Sequence, residues 1–467
     1  MSPCRPAREP NQVLTSVMPP GAQPTPRRTV LMVTYHFPPS AASGSFRLLG
    51  FARHLPRCGW DVAVVAPPAQ PWEPVDPDLA AQVPPETTVA RVRHLEGPWA
   101  LPARLCAPYV SWFPGAWAAC RRVIREHRPA ALLTSGPPHT VHVLGLLLKR
   151  RWGLPWVADF RDPWVAAAED GPAPPPRLGA TARLERAVLR AADGLIANAP
   201  RAGAALQAAY PELAAKVAVI TNGYDPECFA AAAAIVHSGE RGALAPCLES
   251  LESPPPGAAA VTIVHPGQIY AGRDPRPFLD ALRDWGRSPG RAARPLRVRF
   301  LGQVERPDLD LRREAAARGL AATVAVVGQV GYAAALREMA QAEILLLLDS
   351  PGRRAGVPAK VYEYLGAGRP VLALAEPDGD LAWVLRASGT RHRIAPPGDP
   401  ARIAQALAEL VDRPAADSAA DPGGGRGRLA FTRQATARRL AEVLEAHLES
   451  AARSGRRAAP AAAGGAA

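Results

Sequence analysis

The stretch TVLMVTYHFPPSAASGSFRLLGFARHLPRCGWDVAVVAP, residues 29–67, decides the fold. It opens with a β-rich apolar run at 29–35, passes through a loop of Pro, Ala, Ser and Gly, and continues as the helical pattern FRLLGFARHL at 46–55. A second apolar run, DVAVVAP at 61–67, closes it. Two short apolar strands joined by a helix read as a parallel pair, because parallel neighbours need a long crossover. Ser43, Gly44 and Ser45 fall between strand and helix. Glycine permits close backbone approach there, and the N–H groups and dipole of the following helix favour an anion. An ordinary turn would explain the same residues, so this loop alone does not define a site.

The unit repeats. Further strand runs stand at 88–94, 131–135, 155–160, 194–198 and 216–221, with helical patterns between most of them. Residues 230–260, including HSGERGALAPCLESLESPPPG, carry no strand pattern and read as a linker with an insertion. A second series follows at 261–267, 296–302, 323–328, 343–349 and 370–375, and an amphipathic helix is expected at 434–450. The expected architecture is α/β: two doubly wound Rossmann-like domains, 28–229 and 261–433, facing across a cleft. Segments 1–27 and 451–467 are low-complexity and expected to be disordered. Doubly wound sheets bind ligands at the carboxyl ends of their strands, so the cleft is the expected site.

A chain of 467 residues exceeds one ordinary core, which agrees with two domains. The net charge of +13 is compatible with a polyanion partner, but no block of basic residues dominates. Only three lysines and three asparagines occur amid abundant Ala, Arg, Pro and Gly, so drift of coding composition accounts for the charge and nucleic acid is not an expected partner. Six cysteines without a C-x-x-C pair indicate neither a zinc site nor a disulfide framework. No apolar run approaches the roughly 20 residues that span a bilayer. Residues 1–28 lack an apolar core of signal-peptide type, so a cytoplasmic protein is expected.

The segment PGRRAGVPAKVYEYLGAGRPVLALAEP, 351–377, reads as loop, short helix, turn and buried strand, with Pro358 suited to the first helical turn and Gly368 to the position just past its end. Lys360 stands at the helix start, and Arg273 lies in a Gly-rich loop after the first strand of the second half. A guanidinium fork, a point charge and helix N–H groups together suit a pyrophosphate. Glu363, in a short apolar helix, has either a structural partner or a ligand. Asp159, Arg161 and Asp162 leave the end of a strand; they serve a site at the cleft edge or an internal Asp–Arg pair. His139 opens a helix, as a cleft residue or a capping one. Asn222-Gly223 is a strong turn pair with a structural role. Asp-x-Asp occurs at 76–78, 308–310 and 378–380, too cheap a spacing among 42 acidic residues to mark a metal site.

The ordered set of segments 35–67, 135–164, 220–229, 265–275 and 358–372 resembles the retaining glycosyltransferases of family 4, with the two-Rossmann GT-B architecture. The resemblance implies a nucleotide-diphosphate sugar as donor, no bound cofactor or divalent metal, and a glycan or polyprenyl-linked acceptor in cell-surface polysaccharide synthesis. It places Gly44 near the donor phosphate or the acceptor, has Arg273 and Lys360 neutralise the leaving phosphate, and gives Glu363 the ribose hydroxyls. Asp159, Arg161 and Asp162 would orient the acceptor hydroxyl or accept its proton. Two departures stand out: Ala355 replaces the first acid of the family's Glu-x7-Glu pair, leaving Arg353 or Arg354 to meet an unusual donor, and Gln268 replaces a frequent arginine. The stretch 99–129 mixes Trp99, Trp112, Phe113 and Trp117 with Arg121, Arg122, Arg125 and Arg128, which suits either contact with an anionic membrane or a core-packed helix with solvated arginines. A sugar-nucleotide epimerase of the same plan and a non-catalytic basic binding protein are the competing readings.

Overall fold

The computed structural model describes residues 27–95, 111–164, 178–229, 260–270, 272–287, 295–412 and 424–453. In the first half, β1 (Arg28–Thr34), β2 (Trp60–Ala66), β3 (Thr88–Arg91), β4 (Ala131–Gly136), β5 (Trp156–Phe160), β6 (Gly194–Ala197) and β7 (Val217–Val219) form one sheet in the order β3-β2-β1-β4-β5-β6-β7. All neighbours are parallel. In the second half, β8 (Val261–Pro266), β9 (Leu296–Leu301), β10 (Val324–Gly328), β11 (Ile344–Leu348), β12 (Val371–Leu374) and β13 (His392–Ala395) form a second parallel sheet in the order β10-β9-β8-β11-β12-β13. Both halves are thus doubly wound, with the order reversing beside their first strands, β1 and β8.

The near-continuous apolar character of β1 follows from cover on both faces. Leu31 and Val33 enter a core with Trp112, Val141 and Trp156, while Val30 and Met32 enter another with Leu48 and Phe51. That second core is completed by Ala437, Leu440, Ala441 and Leu444 of the last helix, Arg433–Arg453. The expected helix at 434–450 is therefore slightly longer, takes in the first residues of the segment read as a disordered tail, and packs on the first sheet. β13 was not expected from the sequence. Its four residues HRIA form a partly exposed edge with two basic side chains, too short and polar for an apolar-run signal.

Trp112 is fully buried, Phe113 and Trp117 pack against the first core, and Arg121, Arg122, Arg125 and Arg128 are exposed. The helix Phe113–His127 thus turns its aromatics inward, and the mixed aromatic and basic surface does not form; Trp99 lies outside the described residues. Among the described residues no helix is long and apolar enough to cross a membrane. Residues 1–26, 454–467 and 230–259 of the linker reading also lie outside them.

The chain crosses between the halves twice, and the two crossings are tied together. Tyr224 N–H donates to Phe431 O at 3.1 Å, and Arg433 N–H donates to Tyr224 O at 2.8 Å. Asp225 accepts from Arg53 at 2.8 Å, Arg433 at 2.7 Å and His54 Nε2 at 3.0 Å. Burial alone would raise its pKa; the His54 bond and the charges of Arg433 and Arg53 prevail and hold it at about 2. Asp225→Asn is therefore expected to cost roughly 3–5 kcal/mol, the scale for breaking a buried ion pair, read as a lower urea midpoint. The folded pKa lies below the unfolded value of about 3.9, so the ionised group stabilises fully above that value. In wild type this contribution should fade as pH falls from about 4 toward 2, and the mutant should lack that component. Equal midpoints for the two proteins at pH 7 would rule the clamp out.

Candidate functional site

A cavity of about 390 Å³ lies between the halves, at the carboxyl ends of the strands. His36 follows β1, Pro137 follows β4, Arg161 and Asp162 follow β5, and Asn198 follows β6; Gln268, Tyr270 and Arg273 follow β8 on the other wall. Arg353, Pro358 and Lys360 complete that wall.

The second-half wall is cationic. Lys360 opens the helix Lys360–Ala367, and its buried Nζ has no hydrogen-bond partner among the described residues. Burial and the neighbouring Arg273 lower its pKa to about 7, against the opposing fields of Glu363 and Asp349. Gly267 makes this packing possible: at φ +146°, a Cβ on it would stand 2.1 Å from Lys360 Nζ. Arg273 is 3% exposed, with its guanidinium 4.1 Å from the Tyr270 ring centroid and Nε unpaired. Gln268 lines the cavity and donates its amide to Glu305 at 2.9 Å. Of the two arginines beside Ala355, Arg353 reaches the cavity and is paired with Asp349 at 3.0 Å. Arg354 instead pairs with Asp378 at 3.1 Å and is not among the lining residues.

Glu363, in the first turn of the Lys360 helix, is partly buried and is not among the residues lining the cavity. Burial raises its pKa against the fields of Arg433 and Lys360 and a hydrogen bond with the Tyr332 hydroxyl. The Tyr332 ring in turn meets Phe46 of the first half, with centroids 5.5 Å apart.

On the first-half wall the structure separates residues that the sequence grouped. Asp159 is fully buried and does not face the cavity. Its carboxylate accepts from Arg47 Nη2 at 2.8 Å, Arg47 Nε at 3.0 Å and Ser135 Oγ at 2.7 Å. The Asp–Arg pair thus exists, with Arg47 as partner, and the expectation of Asp159 at the cleft edge is corrected. Arg47 also donates to Thr221 O at 2.7 Å, Ile220 O at 2.9 Å and Asn222 Oδ1 at 3.2 Å. Asp162, by contrast, is exposed and is the one carboxylate among the described lining residues.

Arg161 is 7% exposed; its Nε donates to Gly136 O at 3.2 Å and its Nη2 to Pro137 O. Burial lowers its pKa to about 10, so the group stays cationic at neutral pH. Gly44 leaves room for it, since a Cβ there would fall 1.6 Å from Arg161 Nη1 and push the guanidinium aside. His139 stands at the cap position of the helix Thr140–Trp152 but makes no side-chain cap bond. Its ring stacks on Trp164 at 5.3 Å, and burial lowers its pKa to about 4. It caps that helix through its backbone alone, is partly buried, and does not line the cavity, so the expectation of a cleft histidine is corrected.

Among the described residues no group of three or more His, Cys, Asp or Glu side chains could hold a metal ion. The Asp-x-Asp pairs have local roles. Asp76 and Asp310 cap helices, Asp308 pairs with Arg306, and Asp378 pairs with Arg354. Asp380 accepts the N–H groups of Arg201 at 2.9 Å and Gly356 at 2.8 Å, linking the halves. Sequence reasoning missed Arg47 and Tyr332. The first left one signal, an arginine inside the apolar helix FRLLGF; the second left none.

Residues 44–223 match the family model for the glycosyl transferase 4-like domain, and residues 261–413 match that for glycosyl transferases group 1. No curated protein sequence matches the chain. Among solved structures, a glycosyltransferase from Rickettsia africae is similar over 91% of this chain and 99% of its own, with TM-score 0.65 and 12% identity. A sucrose-phosphate synthase from Thermosynechococcus elongatus aligns over 91% and 100%, with TM-score 0.60 and 17% identity. The Anabaena protein HepE, in complex with UDP-glucose, aligns over 91% and 100%, with TM-score 0.54 and 14% identity. At these identities the structural likeness establishes the fold, and the two family models supply the rest: the chain is a GT-B glycosyltransferase with a 4-like domain followed by a group 1 domain.

Proposed function

We propose that the protein is a retaining glycosyltransferase that moves a sugar, hexosyl or related, from a nucleotide-diphosphate sugar to a hydroxyl of a glycan or polyprenyl-linked acceptor in cell-surface polysaccharide synthesis. The observation that carries this reading is the meeting of Arg273 and Lys360 in one cavity wall, each with a buried nitrogen lacking a protein partner. A buried cationic nitrogen without a hydrogen-bonded partner is costly unless a ligand supplies one. A diphosphate does so, assisted by the N–H groups that open the Lys360 helix. The UDP-glucose complex of the similar Anabaena protein supports a nucleotide sugar in this fold.

In this reading the bond from the anomeric carbon to the β-phosphate oxygen breaks, and Arg273 and Lys360 stabilise the charge that develops on that oxygen. The acceptor hydroxyl attacks from the same face and passes its proton to the departing phosphate oxygen. Asp162 orients that hydroxyl. Asp159, held by Arg47 and Ser135, acts by positioning the strand end. Glu363 accepts the ribose hydroxyls once Tyr332 gives way. The reaction takes place at the cytoplasmic side of the membrane, where the exposed arginines of the helix Phe113–His127 suit peripheral contact with anionic lipid.

Calorimetric titration with UDP, GDP, ADP and their common sugar adducts tests the donor site and names the base. Glu363→Ala should weaken the responding nucleotide by roughly 1–3 kcal/mol, the scale of a lost hydrogen bond to a charged group. Unchanged affinity would remove Glu363 from the site. Donor turnover without any acceptor would favour the epimerase reading.

The Lys360 pKa predicts a pH dependence. The free protein must carry a protonated Lys360 to receive the diphosphate, and binding raises the pKa of that ammonium. Affinity should therefore be greatest below about pH 7 and fall as pH rises above it, with uptake of up to one proton. Lys360→Arg should flatten the profile between pH 7 and 9. An equal slope in both proteins would show that another group titrates.

A further inference from the structure

We propose that the first-half wall of the cleft grips an anionic group of the acceptor, a phosphate or a carboxylate, between the Arg161 guanidinium and the N–H groups that open the helix Ser43–His54. The proposal rests on the glycosyl-transfer reading and specifies its acceptor.

Charge accounting leads to it. Four strongly basic side chains line the cavity, Arg161, Arg273, Arg353 and Lys360, against the single carboxylate of Asp162. Asp349 balances Arg353 at 3.0 Å. Arg273 and Lys360 belong to the second-half wall and meet the donor diphosphate. Arg161 stands on the opposite wall, where Asp159 and Asp162 lend it their fields but no carboxylate bonds to it among the described residues. Asp159 is already bonded to Arg47 and Ser135.

The geometry of Arg161 is that of a held receptor. Its Nε and Nη2 are fixed by the carbonyls of Gly136 and Pro137, which set the plane of the guanidinium. Nη1 donates no hydrogen bond among the described residues, and the side chain lines the cavity although it is more than nine-tenths buried. Nη1 lies over the first turn of the Ser43–His54 helix, in the space that a Gly44 side chain would occupy. The Ser45 N–H is taken by Ala42 O at 2.8 Å, and the N–H groups of Ser43 and Gly44, for which no partner occurs among the described residues, add a partial positive charge beside the guanidinium. Ser43 and Ala42 line the same corner. Two positive sources thus converge on one point, next to the carboxylate that would orient the acceptor hydroxyl. An acceptor with its anion near the reacting hydroxyl fits this wall better than a neutral glycan.

The test uses the full chain saturated with whichever nucleoside diphosphate the panel identifies, titrated with inorganic phosphate at constant ionic strength. Wild type should bind phosphate under these conditions, because the donor site is already filled. Arg161→Gln, whose amide still reaches one of the two carbonyls, should lose about tenfold or more in phosphate affinity, in line with a lost charge-assisted bond. Its affinity for the nucleotide should change by less than about twofold, and Arg161→Lys should restore most of the phosphate binding. Phosphate binding that survives Arg161→Gln would overturn the proposal. So would a nucleotide affinity that falls tenfold with no phosphate bound by saturated wild type, which would hand Arg161 to the donor. If Arg161→Gln does not fold, Gly44→Ala decides, since its methyl displaces the guanidinium without removing a charge; unchanged phosphate affinity there overturns the assignment. Absence of any nucleotide binding, with Arg161-dependent phosphate binding intact in the unsaturated protein, would remove the transfer reading alone.

Discussion

The bidentate bond between Arg47 and Asp159 is the interaction on which the rest of the site depends. It joins the helix after β1 to the end of β5, and the remaining Arg47 donors reach the carbonyls of Ile220 and Thr221 on the segment that leaves the first half. Three separate pieces of chain are thereby held at one point. A buried ion pair of this kind adds little net stability against an apolar replacement, yet losing one partner is costly. Its value here is geometric. By engaging Asp159 it sorts two carboxylates three residues apart into one that holds the frame and one, Asp162, that faces the cavity.

The two walls of the cleft differ in character as a result. The second wall presents cations with unsatisfied donors, an arrangement that favours one ligand chemistry strongly. The first wall pairs a fixed guanidinium with an exposed carboxylate, which can both bind and orient. Between them the halves touch through Phe46 and Tyr332 and through Arg201 with Asp378 and Asp380. A buried apolar cluster also takes in Ala197, Ala199 and Ala202 of the first half with Tyr362, Leu365 and Leu381 of the second, beside the multiply bonded crossing at Tyr224 and Arg433.

Much of this was legible in the sequence, and the reasons for the exceptions are physical. Twelve of the strands were readable from Val-, Ile- and Leu-bearing runs, unbroken where both faces are covered, whereas the edge strand β13, HRIA, carries no such run. Lys360 and Arg273 could be placed because each follows directly from a local element, a helix start or a strand end. The fate of Asp159 could not, since its partner lies 112 residues away and only the fold brings them together. The same holds for the Trp112 and Trp117 stretch, where composition alone could not say which way the helix faced. The Tyr332 hydroxyl over Glu363 was hidden for a further reason: an aromatic near a helix start normally packs, and nothing nearby in sequence marks it as a lid on a carboxylate.

The returning helix has an implication for how the chain is made. Leu440 and Leu444 complete the core under β1, so the half that is synthesised first lacks part of its own interior until the helix Arg433–Arg453 has emerged. Until then, the core that holds Val30, Met32 and Phe51 is covered only in part, while the second half carries most of its core within one continuous segment. Domains generally fold in order of synthesis. Here the order is inverted in part: the first domain waits for the second, and its final closure ties both crossings in the same step.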